Sequence, residues 1–150
     1  MRTILFICTG NTCRSPMAEA IARAELREGK VPGVDGDDVF VASAGVFASD
    51  GAPVSYETVQ ALAKRHIPAE GRSKPLTADM IRNAVVVLGM TQAHVEAAQG
   101  LVSEDEAARI ERLDPDGDLE DPIGMGEEVY ERLANRLEEL IPARLGELLQ

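Results

Sequence analysis

The sequence predicts an α/β chain in which a parallel sheet is covered by helices. Three observations carry that expectation. Short apolar runs alternate with helical patterns along the chain, the signature of βαβ units. One run, Ala84-Val-Val-Val-Leu88, is apolar at every position, as a central strand buried on both faces requires. The chain of 150 residues, 45% hydrophobic and 27% charged, suits one domain over residues 1–150 with a substantial core.

The elements follow in order. Thr3 to Cys8 reads as the first strand, with Ile4-Leu5-Phe6-Ile7 as its apolar centre. Ser15-Pro16 then opens a helix over about Pro16 to Glu28, because Pro at the first helical position loses no needed N–H. Met17, Ile21 and Ala24 share its apolar face. A Gly/Pro-rich connection over 29–36 leads to a second strand at Val39 to Ala42. After the loop from Gly45 to Pro53, a helix over about Ser55 to Arg65 carries Val59 and Leu62. A short helix near Thr77 to Asn83 precedes the strand Ala84 to Leu88. Thr91 caps a helix running to Gln99, and Ile110 to Leu113 completes a set of four strands.

The final segment, Glu127 to Leu149, aligns Val129, Leu133, Leu137, Ile141, Leu145 and Leu148 at helical spacing. Pro142 lies inside it and removes one helical hydrogen bond, which predicts a kink or break. No internal repeat, low-complexity segment or dividing linker interrupts the chain.

Composition excludes several classes. The net charge is −11 with the basic residues scattered, which argues against a nucleic-acid partner. No stretch approaches the roughly 20 apolar residues of a membrane helix. The residues after Met1-Arg2 also lack the pattern of a signal peptide, so a cytoplasmic protein without a membrane partner is expected. Two cysteines five apart make no secreted disulfide framework. Cys8, Cys13, His66 and His94 lack the paired spacing of a zinc site, so no metal is expected. The acidic run Asp114 to Asp121 begins like a calcium loop but has Leu119 where that loop needs Gly and Met125 where it needs Glu. No G-x4-G-K-[ST] motif supports nucleotide hydrolysis, and no cofactor is expected.

The informative segment is Cys8-Thr-Gly-Asn-Thr-Cys-Arg-Ser15. It places a thiol at the tip of a strand, before a loop that feeds a helix N-terminus. Such a terminus is a ready anion site. The helix dipole and Arg14 both favour the thiolate at Cys8. In open parallel sheets ligands bind beyond the carboxyl ends of the strands, where strand one ends at Cys8. The backbone N–H groups of Thr9 through Arg14 can converge on phosphate oxygens as a nest. Gly10 permits a turn that a side chain would obstruct, and Asn11 tolerates a left-handed backbone. Arg14 can grip two oxygens at once.

This segment, continued by Pro16-Met-Ala-Glu19, resembles the active-site segment of low-molecular-weight protein tyrosine phosphatases. It is most similar to the bacterial branch that acts on phosphoarginine. Further matches are Ser43 to Ser49, Ala61 to Ile67, Pro75-Leu-Thr77, Met90-Thr91 and Asp121-Pro122, so the resemblance spans nearly the whole chain. It implies a flavodoxin-like three-layer sandwich around a four-stranded parallel sheet. It also implies a cysteine-dependent phosphatase that works as a monomer on phosphorylated proteins.

By the same resemblance Cys8 attacks phosphorus to give a phosphocysteine, Arg14 holds the phosphoryl group, and Asp121 is the general acid. Asp114-Pro115 is a rival with the same dipeptide. Ser15 either caps the helix or donates its hydroxyl to the Cys8 thiolate, and the resemblance favours the second. Thr9, Gly10, Asn11, Thr12, Cys13 and Ser15 form the phosphate site. Cys13 is either a small buried side chain or a redox partner, whose reversible disulfide with Cys8 would guard the nucleophile.

Thr12 bears on the substrate. Tyrosine-directed relatives carry Ile or Leu there, and the arginine-directed branch carries Thr. The alternatives are a tyrosine phosphatase of the same family, an arsenate reductase, and a non-catalytic phosphoprotein-binding module. The reductase needs cysteines after Cys13, and there are none. The sequence departs from the family at Gly71, where relatives carry a His that supports the loop Asn, and at Val85, where relatives carry Asp.

Overall fold

A computed structural model describes residues 1–150. The elements run β1 Arg2–Cys8, α1 Arg14–Arg27, β2 Val39–Gly45, α2 Tyr56–Ala63, α3 Ala78–Asn83, β3 Val86–Gly89, α4 Gln92–Gln99, α5 Glu104–Ala107, β4 Ile110–Arg112 and α6 Glu127–Leu148. The four strands form one parallel sheet in the order β2-β1-β3-β4. The run expected to be central therefore supplies one central strand, β3, and β1 is the other.

Alternation along β1 divides the core into two halves. Ile4, Phe6 and Cys8 face a layer built from α1, α2 and α6, where Met17, Ile21, Leu62, Leu133, Leu137 and Ile141 pack. Leu5 and Ile7 face the opposite layer with Ile81, Val87, Val95 and Ile110. Sheet and two covering layers make the three-layer α/β sandwich. Each fully buried aliphatic or aromatic side chain contributes about 1.5–3 kcal/mol, so the apolar centre of β1 alone anchors the strand that ends at Cys8.

The differences from the sequence expectation are local. β2 continues three residues past Ala42, because Ser43, Ala44 and Gly45 stay paired with Phe6, Ile7 and Cys8. On α1 the buried face runs through Met17, Ala18, Ile21, Ala22 and Leu26, while Ala24 is half-buried. On α2 the buried residues are Thr58, Ala61 and Leu62, and Val59 is exposed. Two short elements, α5 and a 3-10 turn at Gly36–Asp38, carry too few residues to show a periodicity. Pro142 does not break α6, which runs through to Leu148. The carbonyl that loses its partner belongs to Glu138, an exposed residue of the helix.

Candidate active site

The site forms where the sheet hands the chain to its helices. β1 ends at Cys8, β2 at Gly45 and β3 at Gly89, all on one edge. The loop from Thr9 to Cys13 leaves this edge and enters α1 at Arg14. Its carbonyls are tied outward: Cys8 O accepts from Val46 N at 2.8 Å, Thr9 O from Phe47 N at 3.0 Å, and Thr12 O from Ser55 N at 2.9 Å. In a trans peptide the following N–H points the opposite way. The amides of Thr9, Gly10 and Cys13 therefore point away from those contacts. No backbone N–H from Thr9 to Ser15 donates to another part of the backbone, and no side chain caps α1. A run of unspent amides at a helix N-terminus is a cradle for an anion.

Two glycines of this region behave differently. A Cβ on Gly45 would sit 2.4 Å from Thr9 O and 2.7 Å from Ala48 Cβ, so only glycine lets β2 approach the loop. The expectation that a side chain at Gly10 would obstruct the turn does not hold. The φ of Gly10 is not positive, and a Cβ there would meet nothing nearer than Thr12 Oγ1 at 3.8 Å. The left-handed residue of the loop is Asn11, with φ 58°.

Asn11 is oriented without any contribution from Gly71. Its Nδ2 donates to Ser15 Oγ at 2.8 Å and to Ser43 Oγ at 3.0 Å, and its Oδ1 accepts from Lys74 N at 3.0 Å. Three partners, from α1, β2 and the segment before α3, therefore fix a side chain that is 2% exposed. Ser15 Oγ in turn lies 2.8 Å from Cys8 Sγ. Asn11 and Ser15 thus sit beneath the site rather than in its lining.

Cys8, Thr9, Gly10, Thr12, Cys13, Arg14, Asp121 and Ile123 line one small pocket. Arg14 is 5% exposed, and its Nη1 donates to Leu119 O at 3.0 Å. Its Nη2 lies 3.7 Å from Asp121 Oδ2. Asp121 is held by its own turn, with Oδ1 accepting from Ile123 N at 3.1 Å. The rival Asp114 lies elsewhere: it is buried, paired with Arg136 at 2.8 Å, and accepts from Asp116 N. A larger depression of about 230 Å³ between Asp114, Leu119, Arg132 and Arg136 offers no nucleophile, and its cations are paired.

Cys13 points its thiol toward the helical layer. Its Sγ lies 3.4 Å from Ser55 Oγ and 3.6 Å from Tyr130 Oη. Both cysteines are free thiols. Burial and the neighbouring Cys13 push the Tyr130 hydroxyl well above the usual tyrosine range. His66 is exposed at the end of α2 with φ 59°, away from the pocket.

The sequence reading gave no role to Ser43 or His94. Ser43 offers no signal beyond its place at the end of a strand. His94 sits at the third position of α4, where Thr91-x-x-His94 has capping-box spacing, and its ring does complete that box. Its second contact, Nε2 to Thr9 Oγ1 at 2.8 Å, joins residues 85 apart and could not be read from spacing.

This arrangement can hold a tetrahedral dianion between unspent amides and a guanidinium, with a sulfur beneath it and a carboxyl group above. The sequence profile described as "Low molecular weight phosphotyrosine protein phosphatase" matches residues 3–150. A protein-arginine-phosphatase of Geobacillus stearothermophilus is 40% identical, over 98% of this chain and 95% of that protein. The protein-arginine-phosphatase of Bacillus subtilis is 37% identical, over 92% and 91%. Among solved structures, YwlE arginine phosphatase, as a cysteine-to-serine mutant with a phosphorylated active-site serine, superposes with a TM-score of 0.86. It is 34% identical, over 98% of this chain and 95% of that one.

Proposed function

The chain belongs to the low molecular weight phosphotyrosine protein phosphatase family, and from that premise we propose that it hydrolyses phosphoarginine in proteins through a phosphocysteine. It is a phosphoprotein phosphatase by kinship with hydrolases of that class. The observation that carries the arginine reading is Thr12 on the pocket lining, in a chain whose relatives at 37 and 40% identity are protein-arginine-phosphatases.

In this reading the phosphoryl oxygens lie among the amides of Thr9 to Arg14, with Arg14 neutralising their charge. Cys8 Sγ attacks phosphorus in line as the P–N bond breaks. Asp121 delivers its proton to the departing guanidine nitrogen, which leaves as guanidinium. Water then attacks the phosphocysteine, Asp121 takes a proton from that water, and the S–P bond breaks to release phosphate. Ser15 Oγ, 2.8 Å from the sulfur, donates to the thiolate at the start and end of the cycle. The same reading takes residues 1–150 as one catalytic domain, acting as a cytoplasmic monomer on phosphorylated proteins. It takes Cys13 as the partner of Cys8 in a reversible disulfide under oxidation.

Thr12 favours arginine on physical grounds. Its hydroxyl can accept from a guanidinium, which a large aliphatic side chain would crowd and leave unsolvated. The pocket also lacks an aromatic wall, since Ile123 follows Asp121-Pro122 and the chain has no Trp. The family description itself, phosphotyrosine protein phosphatase, keeps tyrosine as the second reading. Steady-state kinetics on phosphoarginine and phosphotyrosine peptides separate the two. Wild type should prefer phosphoarginine, and Thr12→Ile should move the preference toward phosphotyrosine. A wild type that prefers phosphotyrosine, or a preference that Thr12→Ile leaves in place, contradicts the assignment.

A further inference from the structure

The phosphate loop is also gripped from the opposite side of the sheet edge. His94, on α4, is 4% exposed and bridges two elements. Its Nδ1 accepts from Thr91 N at 3.2 Å, and Thr91 Oγ1 lies 3.1 Å from the same nitrogen. A ring whose Nδ1 accepts carries its proton on Nε2. That proton is donated to Thr9 Oγ1 at 2.8 Å. Thr9 is then held at both ends, by His94 through its hydroxyl and by Phe47 N through its carbonyl. With one lone pair of Oγ1 engaged by the ring, the hydroxyl's own proton is directed away from His94, on a residue that lines the pocket.

We propose that His94 is a positioning residue of the active site: acting through Thr9, it sets the first turn of the phosphate loop and keeps the Thr9 hydroxyl as a donor to the phosphoryl group. The inference rests on the phosphatase reading above and adds to it a residue outside the loop and outside the chemistry.

The surroundings support the neutral ring this role needs. An imidazolium has no acceptor for the Thr91 N–H, so protonation would break the bridge. Burial, and after it the charge of Arg14, push the His94 pKa down to about 4, against the opposing pull of Asp118 and Asp121. Gly89 opens the space that His94 occupies: a Cβ there would lie 3.3 Å from His94 Cβ and 3.0 Å from Val95 Cγ2.

The test is a double-mutant cycle with p-nitrophenyl phosphate, a substrate that reads phosphoryl transfer whatever the natural side chain. His94→Ala and Thr9→Val should each lower kcat/KM about 10- to 100-fold, the range expected when a reacting group is slightly misplaced. In the Thr9→Val background, His94→Ala should then cause little further loss. Thr9→Ser, which keeps the hydroxyl, should recover most of the activity that Thr9→Val loses. Thermal melts run alongside, because His94→Ala also removes a helix cap. A purely structural histidine would cost the same factor in both Thr9 backgrounds, and that additivity would overturn the inference. So would a Thr9→Ser variant as slow as Thr9→Val. A wild type that fails to turn over the substrate would overturn the phosphatase reading and this inference with it.

Discussion

Arg14 Nη2 lies 3.7 Å from Asp121 Oδ2, so the cation proposed to hold the phosphoryl group is paired with the carboxyl group proposed as the general acid. The pair is asymmetric. Arg14 is 6% exposed at its side chain and Asp121 49%. The guanidinium is anchored by Leu119 O, and the carboxylate sits on a loop that solvent reaches. Five guanidinium N–H donors leave enough to bind phosphate after the Leu119 bond is made.

Asp121→Asn should therefore keep substrate binding and lose proton transfer. On a phosphoarginine peptide kcat should fall about 10²- to 10⁴-fold, the usual worth of a positioned acid, with KM changed much less. With p-nitrophenyl phosphate, whose leaving group needs no proton, the loss should be smaller. Equal losses on both substrates would remove Asp121 from that role.

Gly45→Ala should destabilise the protein, because its Cβ would collide with the Thr9 carbonyl at 2.4 Å. Overpacking of this kind costs about 1–3 kcal/mol. The displaced atom belongs to the phosphate loop, so activity should fall along with the melting temperature. Gly10→Ala, with 3.8 Å of clearance, should leave the melting temperature close to wild type. Thermal melts of both variants check the contrast.

Two buried groups should give the stability curve opposite slopes. Glu25, on α1, is 7% exposed, and its Oε2 has no hydrogen-bond partner. Burial, and then the nearby Glu138, raise its pKa to about 7 from an ordinary 4.5. The folded state holds that proton more tightly, so stability is full below pH 4.5 and declines as pH rises through 7. Glu25→Gln should gain about 1–3 kcal/mol at pH 8 and almost nothing at pH 4. His94, depressed to about 4 from 6.5, acts in the other sense: its contribution is full above 6.5 and declines as pH falls toward 4. Denaturant titrations across pH for wild type and Glu25→Gln measure both slopes.

Much of the fold was legible because its strands and long helix are strongly patterned. Ile4 to Ile7 and Val86 to Leu88 are apolar on both faces, and the sheet order makes those strands central. Ser55, Thr77 and Thr91 are capping residues with ordinary spacing, and each caps its helix. The candidate loop could be picked out because its thiol, glycine and arginine fall within eight consecutive residues, Cys8 to Ser15. What escaped was long-range. Ser43 and Lys74 reach Asn11 across 32 and 63 residues, and His94 reaches Thr9 across 85. No local pattern encodes such contacts. Gly10 misled for the opposite reason, since the left-handed turn that glycine usually serves is made one residue later, by Asn11.

In the proposed reaction phosphorus passes through the Cys8 sulfur. Rapid acid quench of wild type during turnover of a phosphoarginine peptide, followed by mass spectrometry of the protein, tests this directly. The expected result is one phosphoryl group on Cys8, absent from Cys8→Ala, which should also be inactive. Phosphate found on another residue, or turnover that persists in Cys8→Ala, would contradict the account.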